Sequence, residues 1–294
     1  MPIPTHEITV HDAISVAAEV ARELGLTVGQ PIALRSTNNA VAWLQPANVV
    51  AKVSTGRNSR LHTELAVARE LCALGGPVVC PAPELPDIVH RRGDLEITFW
   101  RYHPQLSAAE APPDRVGRAL RQLHAALGRL PPALRAGLPS YMAELSAARD
   151  LIVDHAALPA ITSADRELLL STFDRLRTRL DGLAPVDRCV AIHGAPHPYN
   201  VLLVGAEPVF IDFETTCVGP VEWDLAHLDG EAEPLFRDVV QTELLWLCRG
   251  MASVKTATLC SADIERGDLR EHAEWHLAHV REHVAPSLKN GSFR

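Results

Sequence analysis

Lysine is nearly absent from this sequence. Of 28 basic residues only Lys52, Lys255 and Lys289 are lysines, and acids outnumber bases to give a formal net charge of −8. A nucleic-acid binder draws much of its affinity from Lys and Arg neutralising phosphates, so this balance argues against such a partner. It is compatible with a cationic small-molecule partner. Long apolar runs are missing too, and without about 18 apolar residues in a row no membrane span is expected. The opening MPIPTHEITVHD is not a basic-then-apolar export signal, because acid and histidine come early. None of Cys72, Cys80, Cys189, Cys217, Cys248 and Cys260 form a CxxC pair, so buried or free thiols in a reducing cytoplasm are expected.

What is present is an ordinary globular composition, 47% hydrophobic and 22% charged, in 294 residues, enough chain for two cores. Because arginine is the default base here, a lysine inside an apolar strand carries weight. Apolar spacing predicts a helix over 11–25 closed by Gly25. Short apolar runs at 31–34, 40–44 and 49–53 read as strands separated by polar turns. A helix follows over 61–74, then strands near 87–90 and 95–100 with a turn at 91–94. HPQLSAAEAPP, residues 103–113, breaks the pattern. Helices are then expected over 114–130, 139–156 and 163–182, the last capped by Ser163. The stretch 189–213 reads as strand, loop, strand, and two or three helices finish the chain. The division is a β-rich lobe over 1–102 and a larger helical lobe over 103–294.

Four features in fixed order carry chemistry. Lys52 in VVAKVS places an ammonium on a strand, able to reach a phosphate as a point charge. Glu64, in the next helix, could pair with it, although Glu near a helix start is favourable on dipole grounds alone. HGAPHPYN, residues 193–200, offers the amide oxygen of Asn200 to a hard cation such as magnesium, with His193 bracing the loop. In IDFETTCVGPVEWDLA, Asp212 ends an apolar strand, where a metal-holding acid belongs, and Asp224 enters a helix with a structural role toward loop N–H groups.

From about Pro31 to His227 the ordered set resembles the aminoglycoside phosphotransferase and choline kinase family, most specifically at 193–200 and 211–226. The resemblance implies an α+β, bilobal protein-kinase-like fold and transfer of the γ-phosphate of ATP or GTP to a hydroxyl of a small molecule, an aminoglycoside, aminosugar or amino alcohol. It implies that Lys52 binds phosphates and Glu64 pairs with it, that Ser36 in RSTNN lies in the phosphate-covering loop, and that backbone groups of Trp100, Arg101 and Tyr102 receive adenine. Asn200 and Asp212 match the Mg2+ ligands. Ala195 stands where the family has its catalytic aspartate. Three accounts stay open: an aspartate replaced artificially, another group such as His197 in its role, or a nucleotide-binding pseudokinase serving as a regulatory or interaction module. A general base is worth about 10²–10⁴-fold, so its loss need not abolish a reaction that rests mainly on positioning and charge.

Weaker signals follow. His272, His276, His279 and His283 sit at helical spacing. They read as a metal-binding stripe or as a solvated helix, and the second is favoured because no Cys or acid completes a tetrahedral set. Glu222, Asp229, Glu231, Glu233 and Asp238 could line a pocket for a cationic acceptor, or form a solvated face. Trp223, Trp246 and Trp275 pack the helical lobe or border that pocket.

Overall fold

A computed structural model of the chain describes residues 9–36, 39–54, 60–104, 112–228, 230–263 and 267–291. The elements, in chain order, are α1 (Val10–Glu23), β1 (Ile32–Ser36), β2 (Ala40–Trp43), β3 (Val49–Ser54), α2 (Leu61–Ala73), β4 (His90–Arg92), β5 (Leu95–Arg101), α3 (Pro113–Leu127), α4 (Pro132–Ala136), α5 (Tyr141–Val153), α6 (Ser163–Leu183), β6 (Val190–Ile192), β7 (Val201–Val204), β8 (Glu207–Phe210), β9 (Cys217–Gly219), α7 (Val221–Leu225), α8 (Thr242–Ala262), α9 (Gly267–His279), a π-helical turn (Val280–Val284) and α10 (Ala285–Asn290). Among the described residues no helix is long and apolar enough to cross a membrane.

Two compact units result: residues 1–111, 125–134 and 199–215, and residues 112–124, 135–198 and 216–294. The division is not the single cut after residue 102 that composition implies. The β7–β8 hairpin and Asp212 belong to the first unit, because Phe210 N–H donates to Pro77 O at 2.8 Å and Val79 N–H to Phe210 O at 3.1 Å.

The first unit is built on an antiparallel sheet in the order β1-β2-β3-β5-β4. Thr9 starts α1 with a capping box: its hydroxyl accepts from Asp12 N–H at 3.1 Å while its own N–H donates to Asp12 Oδ2 at 3.2 Å. Ala17, Ala18, Val20 and Ala21 of α1 share one core with Val49, Ala51 and Val53 of β3. Side chains alternate across a strand, so Lys52 points to the opposite face. In register it lies between Val41 of β2 and Thr98 of β5.

In the second unit α8 packs among α5, α6, α7 and α9, and Phe173, Leu176, Trp223, Met251, Val280 and Val284 join one core. Gly219 is required there by close approach, since a Cβ would lie 2.8 Å from Ile192 Cδ1 and 3.1 Å from the Tyr141 ring.

The segment 189–213 forms the expected strand, loop and hairpin: β6, then β7 joined to β8 through a turn, with β6 pairing to β9. Three expectations are corrected. The strand foreseen near 87–90 is β4 at 90–92. Pairing of His90 with Ile97 and Arg92 with Leu95 moves the turn to Gly93-Asp94, where Gly93 takes φ 56°. Thr162 caps α6, accepting from Asp165 N–H at 3.1 Å, because Ser163 is already helical. Finally, Cys72 and Cys80 form a disulfide, because the end of α2 and the segment before β5 bring their Cα atoms to 5.8 Å. Cys189, Cys217, Cys248 and Cys260 are free thiols.

Candidate functional site

Lys52 is buried on β3 and surrounded by acid. Its Nζ lies 2.9 and 2.8 Å from the two oxygens of Glu64, 2.8 Å from Asp212 Oδ1 and 2.6 Å from Glu214 Oε1. Glu64 comes from the first turn of α2 and is fixed by Phe213, whose N–H donates to Oε1 at 3.1 Å. Asp212 follows β8 with φ 68°, a left-handed conformation that non-glycine residues adopt at a cost of order 1–3 kcal/mol. The bend aims its carboxylate at the ammonium. The next turn, Phe213–Thr215, carries Glu214, whose Oε1 also accepts from Asn39 Nδ2 at 2.7 Å.

Among the described residues, three carboxylates share one ammonium in this cluster. Burial pushes the Glu64 carboxyl up against the opposing pull of Lys52, and Asp212 and Glu214 push it further. Burial alone would lower the Lys52 pKa, but the three acids outweigh it and raise it. The group therefore has room for positive charge. Carboxylate oxygens of Glu64, Asp212 and Glu214 all lie within 4.8 Å of one another, an oxygen-only donor set suited to a hard dication such as Mg2+. Asn200, buried beside β7, directs its amide oxygen to Arg35 Nη1 at 3.3 Å, and its backbone oxygen accepts from Ile211 N–H at 3.0 Å.

The stretch 100–102 lies in the same unit. Trp100 Nε1 donates to Thr98 Oγ1 at 2.9 Å, and the Tyr102 ring stacks on Trp43 at 4.3 Å. Arg101 N–H donates to Cys80 O at 3.0 Å and Tyr102 N–H to Asn48 O at 2.8 Å, so both donors are committed within the protein. Ser36 closes β1, and its side chain lies outside the described residues, as do positions 37 and 38.

In the second unit the loop after β6 is fastened to Asp224. That carboxylate accepts from His193 N–H at 2.9 Å, Gly194 N–H at 2.7 Å and His124 Nε2 at 2.7 Å. Burial would raise its pKa, but the His124 hydrogen bond and charge prevail and hold it below the usual range. Trp223 Nε1 donates to Gly194 O at 2.9 Å, and Ala195 N–H donates to His193 Nδ1 at 3.3 Å. Ala195 is buried and His197 partly buried. His227 accompanies them, its ring bonded through Nδ1 to Trp223 O at 2.8 Å, and burial with the Lys255 charge pushes its pKa down to about 3.

This arrangement of a strand lysine, a helix glutamate and an acid beyond a β-hairpin is accompanied by a match over residues 30–255 to the model of the phosphotransferase enzyme family, APH. The chain belongs to that family. No curated protein matches it in sequence. Among solved structures it is similar to the spectinomycin phosphotransferase APH(9)-Ia in complex with ADP and spectinomycin, at 14% identity and a TM-score of 0.68, covering 94% of this chain and 98% of that one. It is also similar to the amicoumacin kinase hAmiN in complex with AMP-PNP, Ca2+ and Ami, at 15% identity and a TM-score of 0.69, covering 92% and 93%. A choline/ethanolamine kinase family protein from Mesorhizobium loti is similar at 18% identity and a TM-score of 0.63, covering 94% and 98%. The fold is the expected α+β, kinase-like one.

For this phosphotransferase-family chain, the structure brings Lys52, Glu64 and Asp212 together and puts Asn200 and residues 100–102 in the same unit. Ala195 and His197 lie in the other. Sequence reasoning missed Glu214, although its place two residues after Asp212 in IDFE was a signal. It also missed Arg35, Asn39 and His124, whose partners are 165, 175 and 100 positions away. The acids suggested for a cationic pocket are largely spoken for. Glu222 accepts from Arg188 and from Gln241 N–H, Glu233 pairs with Arg249, and Asp238 pairs with Arg121. Asp229 and the Glu231 side chain lie outside the described residues. Trp223 is core, Trp246 packs against that core and Trp275 is exposed.

Proposed function

We propose that the chain transfers the γ-phosphate of ATP or GTP to a hydroxyl of a small molecule of the aminoglycoside, aminosugar or amino-alcohol kind, in the cytoplasm, where these nucleotides are available. The observation that carries this reading is the Lys52 ammonium held by Glu64, Asp212 and Glu214 on rigid elements. Lys52 meets the phosphates as a point charge, and Glu64 keeps it from swinging away. Asp212 and Asn200, with Glu214, would hold Mg2+, which when bound offsets phosphate charge. Adenine or guanine is received along 100–102 by backbone carbonyls, since the N–H groups of Arg101 and Tyr102 are committed within the protein.

Ala195 brings no carboxylate to the reaction. Catalysis is left to positioning and charge stabilisation, which dominate phosphoryl transfer. His193 is locked by Ala195 N–H, which leaves His197 as the loop imidazole to take the hydroxyl proton. Mg-ATP or Mg-GTP should raise the melting temperature by mass action, and Asp212→Asn should remove the metal-dependent part. Labelled γ-phosphate should then pass to a member of an acceptor panel, more slowly in His197→Ala. No shift with either nucleotide at millimolar concentration would sink the proposal.

A further inference from the structure

One helix carries histidines that phosphate transfer does not use. His272, His276 and His279 lie on α9, and His283 lies in the π-helical turn that follows. At about 100° per residue the three on α9 fall within about 60° of one another around the axis. They occupy a flank beside the buried stripe of Ala273, Val280 and Val284. A π-helical turn is rare and recurs at functional sites.

The rings meet in series. Trp275, 62% exposed, stacks parallel on His279 at 5.4 Å and meets His276 edge-on at 4.7 Å. The His279 and His283 rings are 5.1 Å apart. Nδ1 of His276 is buried with no hydrogen-bond partner.

We propose that His279 and His283 chelate a divalent transition-metal ion of the imidazole-preferring class, Zn2+, Cu2+ or Ni2+, with water in the remaining positions. A metal–nitrogen bond of about 2.0–2.1 Å puts each ring centre about 3.2 Å from the ion, and a tetrahedral angle then separates the two centres by about 5 Å. The observed spacing matches. The stack on Trp275 holds His279 in place, and His272 and His276 repeat the four-residue separation in sequence two turns earlier. The site differs in kind from the oxygen-only cluster at Glu64, Asp212 and Glu214, which selects hard cations, whereas imidazole selects borderline ones.

The test is calorimetric titration of Zn2+ into the untagged full chain with excess Mg2+ present, followed by Cu2+ electron paramagnetic resonance. Zinc should bind, and His283→Gln should weaken it by at least about tenfold, since losing even an outer partner costs that much. The variant His279→Gln with His283→Gln should lose the binding together with the signature of two nitrogen ligands. An asparagine pair at the same positions serves if the glutamine pair alters the metal-free melting temperature. Absence of zinc binding, equal affinity in the double variant, or an oxygen-only copper spectrum would each overturn the site.

Discussion

Two turns, each reached directly from a short strand, are built on opposite principles. Around Lys52 charge is left over: three carboxylates face one ammonium, and Asp212 is held in a left-handed conformation. Around Asp224 the main demands are met: one carboxylate takes two loop N–H groups and an imidazole, and Trp223 takes the Gly194 carbonyl. Residual charge and backbone strain are what a ligand can relieve, so they mark where binding gains energy. A satisfied network fixes the shape of the loop that carries Ala195 and His197.

The sharpest way to break this contrast is to place a carboxylate in the satisfied loop. Ala195→Asp should raise turnover by up to about 10²–10⁴-fold, the range of a general base, with nucleotide-induced stabilisation nearly unchanged. Steady-state kinetics on the acceptor found by the panel, beside thermal shifts, check both halves. A slower Ala195→Asp enzyme would place proton acceptance elsewhere.

Removing the anchor should cost stability. Asp224→Ala leaves two buried N–H groups and His124 without their acceptor, a loss of about 3–5 kcal/mol, as when one partner of a buried pair is deleted. Urea denaturation measures it. A change under about 1 kcal/mol would show that the network is not what holds the loop.

The smallest effect is the opposite response of the two regions to pH. His227 is neutral in the fold with its pKa depressed to about 3 from 6.5, so its contribution is present above 6.5 and lost as pH falls toward 3. The slope is at most about 1.4 kcal/mol per pH unit, and His227→Gln should flatten it. Glu64 has its folded pKa raised, so its contribution is present at low pH and lost as pH rises. Lys52→Met removes the opposing charge and should strengthen that trend. Stability profiles between pH 5 and 8 distinguish the two; parallel slopes in both variants would erase the distinction.

The pattern of residues determined a good deal by itself. The short apolar run at 49–53 put Lys52 on a strand, helical spacing put Glu64 one element later, and the apolar run before Asp212 made it a strand-end acid. These are local properties, set by backbone periodicity within a few residues. Tertiary structure decided what depends on partners far along the chain. It brought Glu214 to Lys52 across 162 positions of sequence (214 − 52) and gave Asp224 its histidine from α3. It joined Cys72 to Cys80, and it spent the N–H groups of Arg101 and Tyr102 on Cys80 and Asn48. It required glycine at 219 against Ile192 and Tyr141. Such pairings depend on which surfaces become neighbours when the cores close, and neighbours of that kind leave no period in the sequence.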